Sequence, residues 1–396
     1  MAEPLAVHGG VPVRPTPLPY AKHMVDDEDV QAVVAALKSG WLTTGPRVDA
    51  FERAVASFVG TKHAVAVNSG TAALHCAVFA AGVEAGHEVI TSPLTFVASA
   101  NAVLYQRGVP VFADIRPDTL MLDPADVAAR ITGRTRAILP VDFAGQPCDL
   151  DDFLTLARAR GLSLIEDAAH ALGASHRGRP IGSVADLTVF SFHPAKLISS
   201  GEGGMITTDD DRLASRLRRL RNHGLETDFR ERAARGEVYS RMVDLGYNYR
   251  LPDLQCALGL SQLGRLEQFL KRRSAIAELY LGALTSMPQI EIPAVSSHVR
   301  HAWHIFPVLL RLETLRADRD TILAALKAEN IGAIVHYVPA YWHPYYEALG
   351  YRRGLCPRAE EAFQRILTLP LFPAMTDRDI EDVIAALRKV LAYYAR

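Results

Sequence analysis

The sequence has 396 residues, of which 49% are hydrophobic, and a formal net charge of −1 at pH 7. A chain of this length and composition can bury a large core and can divide into two or three domains. The balanced charge and the lack of a basic stripe argue against a nucleic-acid partner.

Cysteine usage and hydropathy indicate where the protein works. Its 4 cysteines are far apart in the sequence and form no CxxC pair, so we expect free thiols in a reducing cytoplasm. There is no run of about 18 apolar residues and no signal-peptide pattern at the start, so we expect neither a membrane span nor a leader. The sequence therefore predicts a cytoplasmic protein.

The elements of the first 208 residues follow a regular order. The proline-rich first 20 residues are predicted to be extended, and helices follow near residues 30–37 and 51–58. Apolar runs that resemble strands then alternate with helical segments. These predicted strands are, in chain order, Ala64–Val67, Glu88–Thr91, Val109–Ala113, Arg136–Val141, Leu162–Glu166, Leu187–Ser191 and Gly204–Thr208.

This alternation predicts an α/β fold whose seven-stranded, mostly parallel sheet has helices on both faces. The short connection between the last two strands fits one antiparallel strand. The following segments are predicted as a basic helix at 212–221, a polar irregular region at 225–246 and a long helix at 254–284. Residues 301–396 resemble a smaller α+β unit, with strands predicted at Ile305–Leu309 and Ile334–Tyr337 and helices at Arg319–Glu329, Pro357–Ile366 and Asp377–Tyr393. We therefore expect an extended arm at 1–15, a large domain at 16–255 and a small domain at 256–396.

Unusual residues follow several predicted strands, at the sheet edge where ligands bind in doubly wound folds. Ser69, Gly70 and Thr71 begin a helix, and the free N–H groups there favour a phosphate, although such residues are also ordinary helix caps. Phe96 follows the second strand and is either a core residue or a flat surface for an aromatic ring. The sequence thus predicts a ligand site at this edge.

Lys196 lies in a turn between two buried strands and is the most informative residue of the chain. Burial lowers the pKa of an ammonium group and makes the amine nucleophilic, as a Schiff-base lysine requires, whereas an arbitrary lysine in a turn is usually a surface residue. Asp167 ends an apolar strand, and a carboxylate there needs a cationic partner. A lysine, a carboxylate, an aromatic surface and a phosphate-binding helix start together suit pyridoxal 5′-phosphate (PLP).

The motifs that contain these residues resemble the DegT/DnrJ/EryC1/StrS family of PLP-dependent sugar aminotransferases, which have the type I aminotransferase fold. The resemblance covers roughly residues 18–375. Its motifs, in family order, are Trp41–Pro46, Asn68–Leu74, Pro93–Phe96, Phe143–Pro147, Glu166–His170, Ser191–Lys196, Gly201–Gly204, Gly246–Arg250 and His336–Pro339.

The resemblance implies a role for each site residue. Lys196 would form the Schiff base and move the proton, and Asp167 would pair with the pyridine nitrogen. The other implied cofactor contacts are Ser69, Gly70, Thr71 and Ser191 at the phosphate, Phe96 on the ring, His170 near the ring hydroxyl, and Asn248 from the other subunit of a homodimer. The implied substrate contacts are Trp41, Thr43, His193, Arg250 and Tyr337. Taken alone, Trp41 is favoured as a packed aromatic residue over a ligand contact, and His170 and Tyr341 depart from the residues that many members carry.

The resemblance also implies an activity. We expect transfer of an amino group, from L-glutamate, to a nucleotide-linked keto sugar, with a 4-keto-6-deoxy hexose favoured by the likeness of Leu18–Tyr20 and Phe143–Pro147 to that branch. The start Gly9–Arg14 leaves aminocyclitol and 3-keto sugar transaminases open as alternatives. A sugar 3-dehydratase of the same fold is disfavoured because that branch has His in place of Lys196. A non-catalytic regulator is disfavoured because no DNA-binding pattern is evident.

A metal site is the last alternative that the sequence raises. His298, His301 and His304 are close in sequence, but the segment around Trp303 resembles the start of a strand, and no carboxylate is adjacent. We therefore expect no metal site.

Overall fold

The computed structural model describes residues 4–396, apart from the side chains of residues 229–231. Its strands are β1 His63–Val67, β2 Glu88–Thr91, β3 Val109–Phe112, β4 Thr135–Leu139, β5 Ser163–Asp167, β6 Ser175–His176, β7 Arg179–Pro180, β8 Leu187–Ser191, β9 Gly204–Thr208, β10 Ile290–Glu291, β11 Val299–Arg300, β12 Phe306–Leu310 and β13 Ile366–Leu369.

The helices surround these strands. They are α1 Asp27–Lys38, α2 Pro46–Val59, α3 Gly70–Ala80, α4 Ala98–Tyr105, α5 Pro124–Arg130, α6 Leu150–Arg160, α7 Asp211–Arg221, α8 Phe229–Arg235, α9 Asp253–Gly264, α10 Leu266–Leu284, α11 Arg319–Ala328, α12 Pro344–Ala348, α13 Pro357–Arg365 and α14 Asp377–Tyr394. Among the described residues, no helix is both long and apolar enough to cross a membrane.

A 7-stranded sheet forms the centre of the molecule, with the strand order β1-β9-β8-β5-β4-β2-β3. Within residues 4–396, β9 alone in this sheet runs antiparallel to its neighbours, β1 and β8. A parallel sheet is covered on both faces, so its strands are apolar throughout, as in β8, where residues 187–190 are buried. The predicted α/β fold and its single antiparallel strand are confirmed.

Local signals explain where several helices begin. Asp26 and Asp29 form a reciprocal capping box at the start of α1. Pro46 occupies the first turn of α2, where its missing N–H costs no hydrogen bond. The Oγ of Ser69 accepts a hydrogen bond from the N–H of Ala72 and so caps α3. These caps set the residue at which each helix begins, and the start of α3 lies at the edge of the sheet that carries the site.

The structure differs from the expected elements in three places. Residues 225–246 contain the helix α8 rather than only irregular structure. The long helix expected at 254–284 breaks at Arg265, which has φ −107° and ψ 1° and forms ion pairs with Asp26 and Asp29 at the start of α1. The strand expected near Ile334 is reduced to one bridge with Thr368, because the chain then turns toward the cavity described below.

The C-terminal part has its own sheet, with the order β10-β12-β13, packed in a separate hydrophobic cluster with α10, α11 and α14. Leu5 and Leu18 of the N-terminal segment belong to this cluster. Of the expected arm, residues 1–3 lie outside the described residues, and Ala6–His8 form a short 3₁₀ helix. The domain boundaries themselves stay a prediction.

Candidate active site

The loops that follow β1, β2, β5 and β8 enclose a cavity of about 630 Å³ at the carboxyl edge of the sheet. Most residues that the sequence singles out meet here, although they are far apart in the chain. The predicted residues that line the cavity are Ser69, Gly70, Thr71, Phe96, Asp167, His170, Ser191, His193, Lys196 and Tyr337. Strand order brings most of them together, because parallel strands end on one side, whereas Tyr337 comes from the C-terminal part.

Lys196 lies in the turn after β8, where its backbone N–H donates to the carbonyl of His193 at 2.8 Å. Burial lowers the pKa of its ammonium group from 10.5 to about 8, and the negative charge of Asp167 partly offsets this change. A larger fraction of this amine is therefore neutral near pH 7 than for a solvated lysine. The neutral amine can act as a nucleophile or as a base.

Asp167 ends β5, and its carboxyl group is 5% exposed. Its Oδ2 accepts a hydrogen bond from the Oγ of Ser99 at 2.7 Å, and its Oδ1 accepts one from the N–H of Ala169 at 3.2 Å. Burial raises the pKa of this carboxyl group, while these bonds and the charge of Lys196 partly oppose the rise. Asp167 is therefore held in one orientation, facing a cavity that can contain a cation.

The first turn of α3 forms one wall of the cavity, next to Ser191 at the end of β8. A Cβ atom on Gly70 would lie 2.8 Å from the Cβ of Ser191 and 2.9 Å from its Oγ, so only glycine allows this approach. Backbone N–H groups at a helix start and a serine hydroxyl on the facing strand are suited to a phosphate. This is the type of cradle that the phosphate of PLP requires.

Aromatic rings form the opposite wall. Phe96 is 59% exposed although it belongs to a cavity wall, so a flat face is available for a ring to stack on. The hydroxyl group of Tyr337 lies 3.3 Å from the Nε2 of His170, while the buried Nδ1 of His170 has no hydrogen-bond partner. Burial holds the pKa of His170 well below its usual value, so this imidazole is neutral.

These features fit PLP on structural grounds. The cavity has an amine for a carbonyl carbon, a carboxylate for a pyridinium nitrogen, a flat aromatic face and a cradle for a phosphate. Gly70 leaves space at the helix start for a ligand group, and the unpartnered Nδ1 of His170 can form a hydrogen bond with a polar group of the ligand. PLP carries the groups that match all four features.

The remaining predicted residues do not line this cavity in the chain as described. Thr43 and Arg250 line a second cavity, of about 450 Å³, together with an arginine-rich set that comprises Arg218, Arg219, Arg221 and Arg232. Trp41 is 42% exposed. The carbonyl oxygen of Asn248 accepts a hydrogen bond from Asn68 at 3.5 Å, which places it near the rim.

Sequence reasoning missed Ser99 and His304 as residues of the cavity wall. It gave no individual role to Tyr20, Asn68, Leu74, Thr95, Glu202 and His336, although these lie within the stretches that carry the family resemblance. Thr95 precedes α4 and Ser99 lies in its first turn, and their hydroxyl groups lie 2.7 Å apart. His304 comes from a distant C-terminal segment, and no local pattern indicates it.

The histidines considered for a metal site do not meet one another. His304 lines the Lys196 cavity, and its ring lies 4.2 Å from the ring of His170. His301 stacks on Trp303 with a ring distance of 3.9 Å. His298 lies next to Asp149, with 3.5 Å between its Nε2 and the carboxylate.

Comparisons with known proteins agree with this site. The model of the DegT/DnrJ/EryC1/StrS aminotransferase family matches residues 23–388. The spore coat polysaccharide biosynthesis protein SpsC of Bacillus subtilis is 45% identical over 377 residues, which are 94% of this chain and 97% of SpsC.

Two solved structures extend the comparison. PseC of Helicobacter pylori, an aminotransferase involved in the biosynthesis of pseudoaminic acid, has a TM-score of 0.89 and 30% identity, with 96% of this chain and 100% of that chain covered. DesI, solved in the presence of its TDP-sugar product, has a TM-score of 0.87 and 34% identity, with 98% and 96% covered. Structures similar to this chain include a PLP form. The chain therefore belongs to the DegT/DnrJ/EryC1/StrS aminotransferase family and is a PLP-dependent sugar aminotransferase.

Proposed function

We propose that this enzyme transfers the amino group of L-glutamate to a nucleotide-linked 4-keto-6-deoxy hexose. The observation that carries the proposal is that one cavity combines a lysine whose pKa is about 8, a buried aspartate and a helix start suited to a phosphate. Bound PLP supplies a carbonyl that accepts amino groups and a ring that withdraws electrons. DesI, whose product is a TDP-sugar, supports a nucleotide sugar as the acceptor.

The proposal gives each cavity residue a task. The amine of Lys196 removes the proton from the Cα of the amino donor and later delivers a proton to the sugar carbon that receives nitrogen. Asp167, oriented by Ser99, keeps the pyridine nitrogen protonated. Phe96 covers one ring face, while Gly70, Thr71, Ser69 and Ser191 hold the phosphate. His193 and Tyr337 lie on the cavity wall, where they can contact the sugar.

Charge indicates that the substrates also need residues from outside this cavity. Among the residues described as lining it, Lys196 is the only Lys or Arg, whereas a nucleoside diphosphate and a glutamate both carry negative charge. Arg250 lies in the second, arginine-rich cavity. In a homodimer, Asn248 and Arg250 of one subunit would serve the Lys196 cavity of its partner, with Asn248 at the cofactor phosphate and Arg250 at the substrate.

Exposed side chains near Asn248 support such a dimer. The segment 238–247 carries large apolar residues in the open, including Val238 at 93%, Tyr239 at 79%, Met242 at 65% and Leu245 at 79% exposed. A monomer rarely exposes a contiguous apolar patch of this kind, and a second copy of the chain would cover it. Trp41 and Thr43 lie on the loop between α1 and α2, where a partner-bound substrate could reach them.

A substrate screen tests the activity. Enzyme loaded with the amino form of the cofactor is mixed with UDP-, dTDP- and GDP-linked 3- and 4-keto sugars and with a keto-inositol. A 4-keto-6-deoxy sugar nucleotide should restore the yellow colour of the PLP form fastest and yield an amino sugar by mass spectrometry. If the yellow colour returns faster with a 3-keto sugar or with the keto-inositol, that compound is the acceptor and the proposed 4-keto-6-deoxy sugar is wrong. L-Glutamate should reverse the colour change more efficiently than other amino acids.

The control for this screen is Lys196→Ala. It removes the one lysine amine among the described residues of the cavity wall and should leave no turnover, while circular dichroism should remain that of the wild type. Turnover by this variant would contradict the role given to Lys196.

A further inference from the structure

Two histidines and an aspartate form a cluster outside the Lys196 cavity. Asp149 precedes α6 as its N-cap residue, His176 lies in β6, and His298 immediately precedes β11. One ligand-type atom from each side chain lies within 4.8 Å of those of the other two. These described residues are absent from the wall of the Lys196 cavity, so the transamination site gives them no role.

The cluster has one buried ring nitrogen without a hydrogen-bond partner among the described residues. The Nε2 of His298 lies 3.5 Å from the Oδ1 of Asp149, yet it is buried without a hydrogen bond to any described residue. The ring of His176 is 1% exposed and stands at 89° to the ring of His298, with 5.0 Å between the centroids. An unpartnered buried nitrogen is costly, and a ligand that accepts its lone pair would remove that cost.

We propose that Asp149, His176 and His298 bind a divalent transition-metal ion of the zinc class, with water as the fourth ligand. Two neutral imidazoles and one carboxylate are a common ligand set for such an ion. The side chains of His298 and Asp149 are 32% and 25% exposed, which leaves a path for the ion and its water.

The surrounding charges are compatible with a bound cation. The Nδ1 of His176 accepts a hydrogen bond from the Nη2 of Arg179 at 3.3 Å and lies 3.9 Å from the carboxylate of Asp151. Metal binding through the other ring nitrogen would therefore require Nδ1 to exchange Arg179 for Asp151, which would then accept the ring proton. Three arginines are close, but each is paired with a carboxylate. Arg116 pairs with Asp118 and Asp149, while Arg177 and Arg179 pair with Asp151. The ion would therefore enter a region without excess positive charge.

A metal ion at this cluster would crosslink segments that are distant in the sequence. The segment before β11 is held by the backbone bond from Arg177 to His298 at 2.7 Å and by the side chain of Gln146, which bonds Ala294 and Ser296. The ion would add a bond from this segment to α6 and β6. The same segment continues to His304 on the wall of the Lys196 cavity. A bound ion would therefore stabilise the position of a chain segment that contributes to this wall.

The test uses tag-free holoenzyme dialysed against a chelator and then incubated with ZnCl₂ and passed through a desalting column. We expect one Zn²⁺ per chain by elemental analysis and a melting temperature that rises with the Zn²⁺ concentration, because the ligand binds only the folded chain. Co²⁺ should give the visible absorption bands of a four-coordinate site. Zinc content at the level of the buffer blank, with no change in melting temperature, would overturn the proposal.

Three variants locate the ion. Asp149→Asn and His298→Gln keep the side-chain size, and each should lower the zinc affinity at least tenfold and remove the thermal shift. His23→Gln, at an exposed histidine outside the cluster, is the matched control and should bind zinc like the wild type. Equal zinc binding by all four proteins would show that the ion is held elsewhere and would also overturn the assignment.

Discussion

At the residue scale, the most unusual group next to the site is a pair of carboxyl groups behind Asp167. Asp142 and Glu166 are both 0% exposed, and the Oδ2 of Asp142 and the Oε1 of Glu166 are buried without a hydrogen-bond partner among the described residues, while the negative charge of Glu166 helps burial to raise the pKa of Asp142. The Oγ of Thr188 donates to Glu166 at 2.8 Å, and the N–H of Cys148 donates to Asp142 at 2.9 Å. Two buried carboxylates cannot both stay ionised, so the pair shares a proton.

This pair predicts a pH dependence of stability. Burial raises the pKa of Glu166 from 4.5 to about 7. The folded state therefore binds more protons than the unfolded state between these values, and the free energy of unfolding falls as the pH rises through this window, by on the order of 3 kcal/mol for one group. Glu166→Gln supplies a permanent donor to Asp142 and should flatten this dependence.

The measurement is the urea midpoint of wild type and Glu166→Gln at pH 5.5 and pH 8.5. We expect the wild type to lose more stability than Glu166→Gln between pH 5.5 and pH 8.5. The reciprocal variant Asp142→Asn should behave like Glu166→Gln. Parallel pH profiles for all three proteins would show that no proton is shared.

At the scale of elements, the start of α3 makes a prediction about the cofactor. Gly70→Ala places a Cβ 2.8 Å from the Cβ of Ser191, so the strand end and the helix start must separate. Because alanine is otherwise favourable in a helix, the fold should be retained, while the affinity of the apoenzyme for PLP should fall about tenfold or more, or ~1.4 kcal/mol. Titration of the apoenzyme with PLP, followed by absorbance, measures this loss.

The matched control is Gly282→Ala. Gly282 lies in α10, and a Cβ there meets no other atom within 4 Å. This variant should bind PLP like the wild type. A Gly70→Ala enzyme with unchanged PLP affinity would mean that the contact with Ser191 does not shape the phosphate cradle.

The elements also show how far the sequence could predict the structure. The strands of the large sheet were predictable because each is an apolar run bounded by turn residues, and residues such as Ser191 and Asp167 were predictable because they end those runs. The break between α9 and α10 at Arg265 was not predictable from the sequence, because it depends on ion pairs with Asp26 and Asp29, about 240 positions earlier in the chain. His304 and His336 reach the cavity only through the packing of the C-terminal part.

At the scale of the whole molecule, the distribution of charge between two cavities argues for a shared active site. Lys196 lies in a cavity with no other Lys or Arg among its described residues, and Arg250 lies in a cavity with Arg218, Arg219 and Arg221. Arg250 is held by a hydrogen bond of 2.7 Å to Asn222, so its position is fixed by its own subunit. A homodimer that joins the two cavities would supply the missing cations.

Subunit mixing gives the decisive result for this arrangement. Lys196→Ala and Arg250→Ala should each be nearly inactive, and each should elute as a dimer. If every site takes Lys196 from one chain and Arg250 from the other, mixing the two variants after reversible dissociation creates dimers with one intact site. Random mixing makes half of the dimers mixed, so activity should return to roughly a quarter of the wild-type value. With sites contained within single chains, every site in the mixture would still lack one of the two residues and activity would stay at the level of the separate variants.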